Sequence, residues 1–113
     1  MISNKAKTGI EPIDYNKVCN QVKSDLIENY SENVVFVRSV KHKVNHSILT
    51  LTINFKRKGP KNQNIDTDTL NNMVDYLVAN LKRLHLIPKG FHATVFKTEQ
   101  HQFTTTLTLN LKA

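Results

Sequence analysis

From Asp14 onward the apolar side chains Tyr15, Val18, Cys19, Val22, Leu26 and Tyr30 recur every three or four positions, the repeat that gathers them on one stripe of an α-helix. Asp14 stands where the free N–H groups of a first turn need an acceptor, so the spacing predicts a helix capped by Asp14 and running to about Tyr30. Ser31-Glu32-Asn33 breaks the repeat. Val34-Val35-Phe36-Val37 then opens a β-branched segment expected to continue as a strand to about Val44. Beyond Asn45-His46, Leu49, Leu51, Ile53 and Phe55 alternate with Thr50, Thr52, Asn54 and Lys56. That period of two describes a strand with one buried and one open face.

The polar stretch Lys58-Gly59-Pro60-Lys61-Asn62-Gln63-Asn64 is a loop, and Asp66 or Asp68 is placed to cap the helix that follows. Leu70, Met73, Val74, Leu77, Val78, Leu81 and Leu84 mark that second helix, which Pro88-Lys89-Gly90 ends. Phe91 to Lys97 is expected to form a third strand. Phe103 to Lys112 reads as a fourth, with Phe103, Thr105, Leu107, Leu109 and Leu111 facing inward and Thr104, Thr106, Thr108, Asn110 and Lys112 outward.

The halves resemble one another. Thr50-Leu51-Thr52-Ile53-Asn54-Phe55-Lys56 aligns with Thr106-Leu107-Thr108-Leu109-Asn110-Leu111-Lys112 at a constant offset of 106 − 50 = 56. The helices align at about 55, pairing Val18 with Met73, Val22 with Leu77 and Leu26 with Leu81. Internal duplication and convergent strand chemistry both account for this, and both lead to the same architecture. The expectation is an α+β fold: a two-layer αββαββ sandwich with a four-stranded antiparallel sheet and both helices on one face. The expected core is Val18, Val22, Leu26, Leu49, Leu51, Ile53, Phe55, Met73, Leu77, Leu81, Leu107, Leu109 and Leu111.

Residues 1–13 are polar and aperiodic and are expected to form an arm ahead of a single domain spanning 14–113. No apolar run has the length of a membrane span and the start lacks an apolar leader, which points to a cytoplasmic protein. Charge alters the picture more than composition does. The chain carries 16 basic and 9 acidic residues, a net +7. The segment from Arg38 to Lys61 contributes seven cations (Arg38, Lys41, Lys43, Lys56, Arg57, Lys58 and Lys61) and no acid, so the rest of the chain is balanced. A basic quarter on a neutral body points to an anionic partner, nucleic acid or an acidic protein; solvated lysines guarding a hairpin edge are the plainer reading.

Catalytic chemistry finds no constellation here. The histidines are dispersed, and none forms an i, i+4 metal pair. His46 and His101 occupy the starts of equivalent strands and could lie near one another. Cys19 falls on the apolar stripe of the first helix and reads as a core residue; a lone cysteine makes neither a disulfide nor a thiolate zinc site. No enzyme activity, metal or cofactor is expected. For nucleic acid, the basic residues suit phosphate contact. Base stacking is not expected, because Phe55 and Phe103 fall on the inward parity and threonine occupies the outward positions.

The order of elements, carried by the helix Tyr15–Tyr30, the helix from Leu70-Asn71-Asn72-Met73 to Leu84 and the closing segment His101-Gln102-Phe103 to Leu111, resembles the tail-terminator (tail-completion) proteins of tailed bacteriophages. The chain departs from that family where Lys58 to Ile65 is a loop in place of an extra strand. The resemblance implies a non-enzymatic subunit of a homo-oligomeric ring in a phage tail or neck, present in host cytoplasm and virion, with neighbouring structural proteins as partners. Arm residues such as Ile2 and Ile10 would then anchor on the next subunit. The other function expected is a small basic module that contacts the phosphate backbone of DNA or RNA.

Overall fold

A computed structural model describes residues 12–113, so the expected arm, with Ile2 and Ile10, lies outside the described residues except for its last two positions. The elements follow in the order α1 (Tyr15–Asn29), β1 (Val34–Asn45), β2 (Ile48–Arg57), α2 (Thr67–Arg83), β3 (His92–His101) and β4 (Thr104–Lys112). This is the expected α+β element order. The four strands form one antiparallel sheet in the order β1-β2-β4-β3.

Local chemistry sets the helix limits. The Asp14 carboxylate accepts from the Lys17 N–H at 3.2 Å and starts α1, which ends with Tyr30 as its C-cap. Of the two candidate caps for α2, Asp66 is the one used, accepting from the Thr69 N–H at 2.7 Å. The second helix stops at Arg83, ahead of the proline, because His85 takes the left-handed conformation (φ +60°). The N–H of Leu86 then closes onto the carbonyl of Leu81 at 2.9 Å.

One apolar cluster joins Val18, Val22 and Leu26 of α1 and Met73, Leu77 and Leu81 of α2 to the odd positions of β2 and β4. All 13 expected core residues are buried. Ile13, expected in the arm, packs against this cluster. The thiol of Cys19 is buried on α1, and desolvation raises its pKa, with nearby Lys23 opposing.

The two outer strands differ from expectation. β3 continues past Lys97 to His101, although Thr98-Glu99-Gln100-His101 has no apolar alternation. As an edge strand it needs only β4 as partner, and it pairs through Glu99↔Thr106 to His101↔Thr104. β4 begins at Thr104, leaving Phe103 in the two-residue turn and 39% exposed, not in the core. Thr105 faces inward as expected and is fully buried, with its hydroxyl 3.0 Å from Gln100 Oε1.

The internal repeat appears as an approximate twofold axis. β2 and β4 pair so that Thr52 faces Thr108, its own equivalent at 52 + 56 = 108. On either side lie two matching hydrogen bonds, Thr50 Oγ1 with Asn110 Oδ1 at 2.8 Å and Asn54 Nδ2 with Thr106 Oγ1 at 2.6 Å.

Candidate functional site

Directly paired residues on neighbouring strands share a face of the sheet. Leu49, Leu51, Ile53 and Phe55 face the helices, so their even-numbered neighbours and those neighbours' partners line the opposite, open face. One row crosses all four strands: Phe36 pairs with Lys56, Lys56 with Thr104, and Thr104 with His101. The next rows hold Ser39, Asn54, Thr106 and Glu99, then Lys41, Thr52, Thr108 and Lys97, then Lys43, Thr50, Asn110 and Thr94.

Two bulges in β1 assemble the charged side of this face. The register shifts between Val34 and Phe36 and again between Val37 and Ser39, leaving Val35 and Arg38 without direct partners. In an uninterrupted strand Arg38 would point opposite to Lys41 and Lys43. The second bulge resets the alternation, so Lys41 and Lys43 join Phe36 on the open face. Arg38 lines one cleft with Phe36, Lys56 and Phe103 and an adjoining one with Lys41, Thr52 and Asn54, so it belongs to the same face. The acid in these rows, Glu99, lies 3.3 Å from Lys97.

Of the seven basic residues singled out from the sequence, Arg38, Lys41, Lys43 and Lys56 therefore meet on the open face. Lys58 and Lys61 are exposed in the loop beyond β2, where Lys58 Nζ lies 3.3 Å from the carbonyl oxygen of Ser31. Arg57 does not belong to the set. It is only 2% exposed, on the helix-facing side, and its guanidinium donates to the carbonyls of Gln63 (3.0 Å), Gln102 and Thr104 and to the Thr105 hydroxyl (3.1 Å). Burial lowers its pKa from an ordinary value so high that the group keeps its charge at neutral pH. Its work is structural, tying the loop after β2 to the β3–β4 turn.

That turn holds the features the sequence concealed. Gln102 has φ +53°, a left-handed conformation that glycine usually supplies. It is held from two sides: its N–H donates to Asn62 Oδ1 at 3.1 Å, and its carbonyl accepts from the Asn62 N–H at 2.9 Å. The Arg57 N–H donates to the Phe103 carbonyl at 2.6 Å. Phe103 is thereby presented outward, with Lys56 Nζ 5.8 Å from its ring centre. Phe36, 47% exposed, lines the same cleft of about 450 Å³. The expectation that Phe103 faces inward is overturned, while Phe55 is buried as expected. A signal for Phe103 was available: at the offset of 56, Gln102-Phe103 matches His46-Ser47, the equivalent two-residue turn between β1 and β2.

The histidines do not converge. His46 (φ +59°) lies in the β1–β2 turn and His101 at the opposite end of the sheet, because antiparallel strands related by a twofold begin at opposite ends. His42 faces the helices and stacks on Tyr15, ring centres 4.6 Å apart. Among the described residues no cluster of three or more His, Cys, Asp or Glu could hold a metal ion, and no helix is long and apolar enough to cross a membrane.

No protein-family model matches the chain, and no curated protein or solved structure shows significant similarity to it.

Proposed function

We propose that this protein binds nucleic acid through the open face of its sheet. The observation that carries the reading is the meeting of Arg38, Lys41, Lys43 and Lys56 on one face whose acid, Glu99, is already paired with Lys97. Such a concentration of like charge is a standing attraction for phosphate. Neutral threonine and asparagine side chains fill the strip between the cations and impose no repulsion on a polyanion. The reading is one of binding, with no reaction assigned to it.

The ring-subunit reading that follows from the resemblance to tail terminators has less support. Ile2 and Ile10 lie outside the described residues. The outer edges of β1 and β3 offer pairing surfaces to another copy, but bulges at Val35, Arg38 and Phe96 interrupt both edges, a feature that discourages strand addition.

A salt titration tests the proposal. Affinity for a short DNA or RNA should fall steeply as salt rises, and Lys41→Ala, Lys43→Ala and Lys56→Ala should each flatten the log–log slope by roughly 0.7 to 0.9. Absence of binding to single or double strands at low salt overturns it. A multimer in light scattering that binds no nucleic acid would favour the ring reading instead.

A further inference from the structure

We infer that the ligand of the open face is a single strand with an unpaired base seated in the cleft between Phe36 and Phe103; this rests on the nucleic-acid reading above. The basic residues alone do not distinguish strand states, since any polyphosphate satisfies them. The two phenylalanines do. Each is a large apolar ring left substantially exposed, at 47% and 39%, on the face that carries the cations.

Within a duplex the faces of the bases are stacked on one another, so rings on an open sheet would meet only sugar and phosphate there. An unpaired strand offers free base faces, and stacking on an aromatic side chain is the interaction it gains. The chemistry around the rings fits this ligand. Lys56 stands between Phe36 and Thr104 in the row that crosses the sheet, so a cation lies beside the rings for the phosphate attached to a seated base. Arg38 lines both this cleft and the one leading toward Lys41, which gives the backbone a continuous cationic path along β1. Rows along a strand are separated by about 6.8 Å, two residues of rise. The path from Phe36 to Lys43 covers three such steps, long enough for several extended nucleotides.

The Phe103 platform is also held before any ligand arrives. Its turn is fixed by Asn62, through its side-chain oxygen and its backbone N–H, and by Arg57, through its guanidinium and its backbone N–H. A side chain held in its binding orientation loses little further freedom on contact.

The test compares four probes by fluorescence anisotropy at low salt: a ~10-nucleotide single strand, the same strand with abasic sites, the matching duplex, and the single strand carrying a 2-aminopurine reporter. The intact single strand should bind tightest. Removing the seated base should weaken it by about 5- to 150-fold, the range expected for losing one stacked base. Phe36→Ala and Phe103→Ala should lower single-strand affinity more than duplex affinity, and 2-aminopurine emission should be quenched by the native protein but not by the paired phenylalanine variant. Both rings are exposed, and retention of the native thermal midpoint confirms that the variants fold. Equal affinity for the intact strand, the abasic strand and the duplex, or unchanged binding by both variants, overturns the inference and leaves phosphate binding standing. No binding of any probe overturns both.

Discussion

Asp25 and Asn80 occupy equivalent positions in the two helices, 80 − 25 = 55 residues apart, and they bind each other: Asn80 Nδ2 lies 3.0 Å from Oδ1 and 2.9 Å from Oδ2 of Asp25. The contact sits where the helices meet, as the Thr52–Thr108 pair sits where the two hairpins meet. Both residues are buried, Asp25 at 2% and Asn80 at 6% exposure. Gln21 Nε2 donates a further hydrogen bond to Asp25 at 2.8 Å, and Arg83 donates twice to Asn80 Oδ1, at 3.0 and 2.6 Å. The carboxylate is thus linked to a cation through the amide between them.

Removing the Asp25 carboxylate leaves the buried Asn80 Nδ2 without its acceptor, while Gln21 is half-buried and Arg83 exposed. Asp25→Ala is expected to cost about 1 to 3 kcal/mol. Because Asp25 and Asn80 share one network, the double variant Asp25→Ala/Asn80→Ala should lose less than the sum of the single losses. Urea denaturation of the three variants measures this, and strict additivity would show that the pair does not act as a unit.

Arg57 is expected to behave as a structural residue. Arg57→Met should destabilise the fold by about 2 to 4 kcal/mol, because the carbonyls of Gln63, Gln102 and Thr104 lose their shared donor. Arg57→Lys should recover little, since an ammonium cannot reproduce the planar fork that reaches several acceptors together. Thermal unfolding checks both variants. An unchanged midpoint with a flattened salt slope of nucleic-acid binding would return Arg57 to the phosphate-contacting set.

The cap of α2 makes a pH-dependent contribution whose sign is set by its hydrogen bonds. Acceptance from Thr69, by side-chain and then backbone contact, holds the Asp66 carboxyl below its ordinary value, with desolvation opposing. A carboxyl depressed in the folded state stabilises that state above its unfolded pKa, and the contribution is lost as pH falls through the folded pKa. Asp66→Ala should therefore lower the thermal midpoint at pH 7, and its deficit relative to the native chain should shrink only below about pH 4. Asp66→Asn retains a capping oxygen and should recover most of the midpoint at pH 7. A deficit that is unchanged down to pH 2 would contradict this account.

The sequence by itself determined the element order, the cap at Asp14, the choice of Asp66 or Asp68 for α2, and the buried faces of both helices and both inner strands. These are local properties: an amphipathic period states which side of an element must leave water, and β2 and β4, paired on both sides, keep that period without interruption. The repeat at 56 was legible in the sequence, but that Thr52 meets its own equivalent followed only from the pairing of β2 with β4.

Only the tertiary structure decided the composition of the open face. Arg38, Lys41 and Lys43 have opposing parity in the sequence and share a face because β1 bulges between Val37 and Ser39. An edge strand can absorb such an extra residue because one of its sides is unpaired, and nothing in the residue pattern announces it. Arg57 stands in an apparent surface run, Lys56-Arg57-Lys58, yet turns inward because the carbonyls of the loop after β2 and of the β3–β4 turn converge on it and compensate its burial. Phe103 moved the other way, from expected inward parity to the open face, because it lies in the turn and β4 begins one residue later than the alternation implies, while Thr105 keeps its expected inward place. Arg57 keeps the inward parity of β2, but the acceptors that make its burial tolerable come from segments distant in sequence, which a period read along one strand does not reveal.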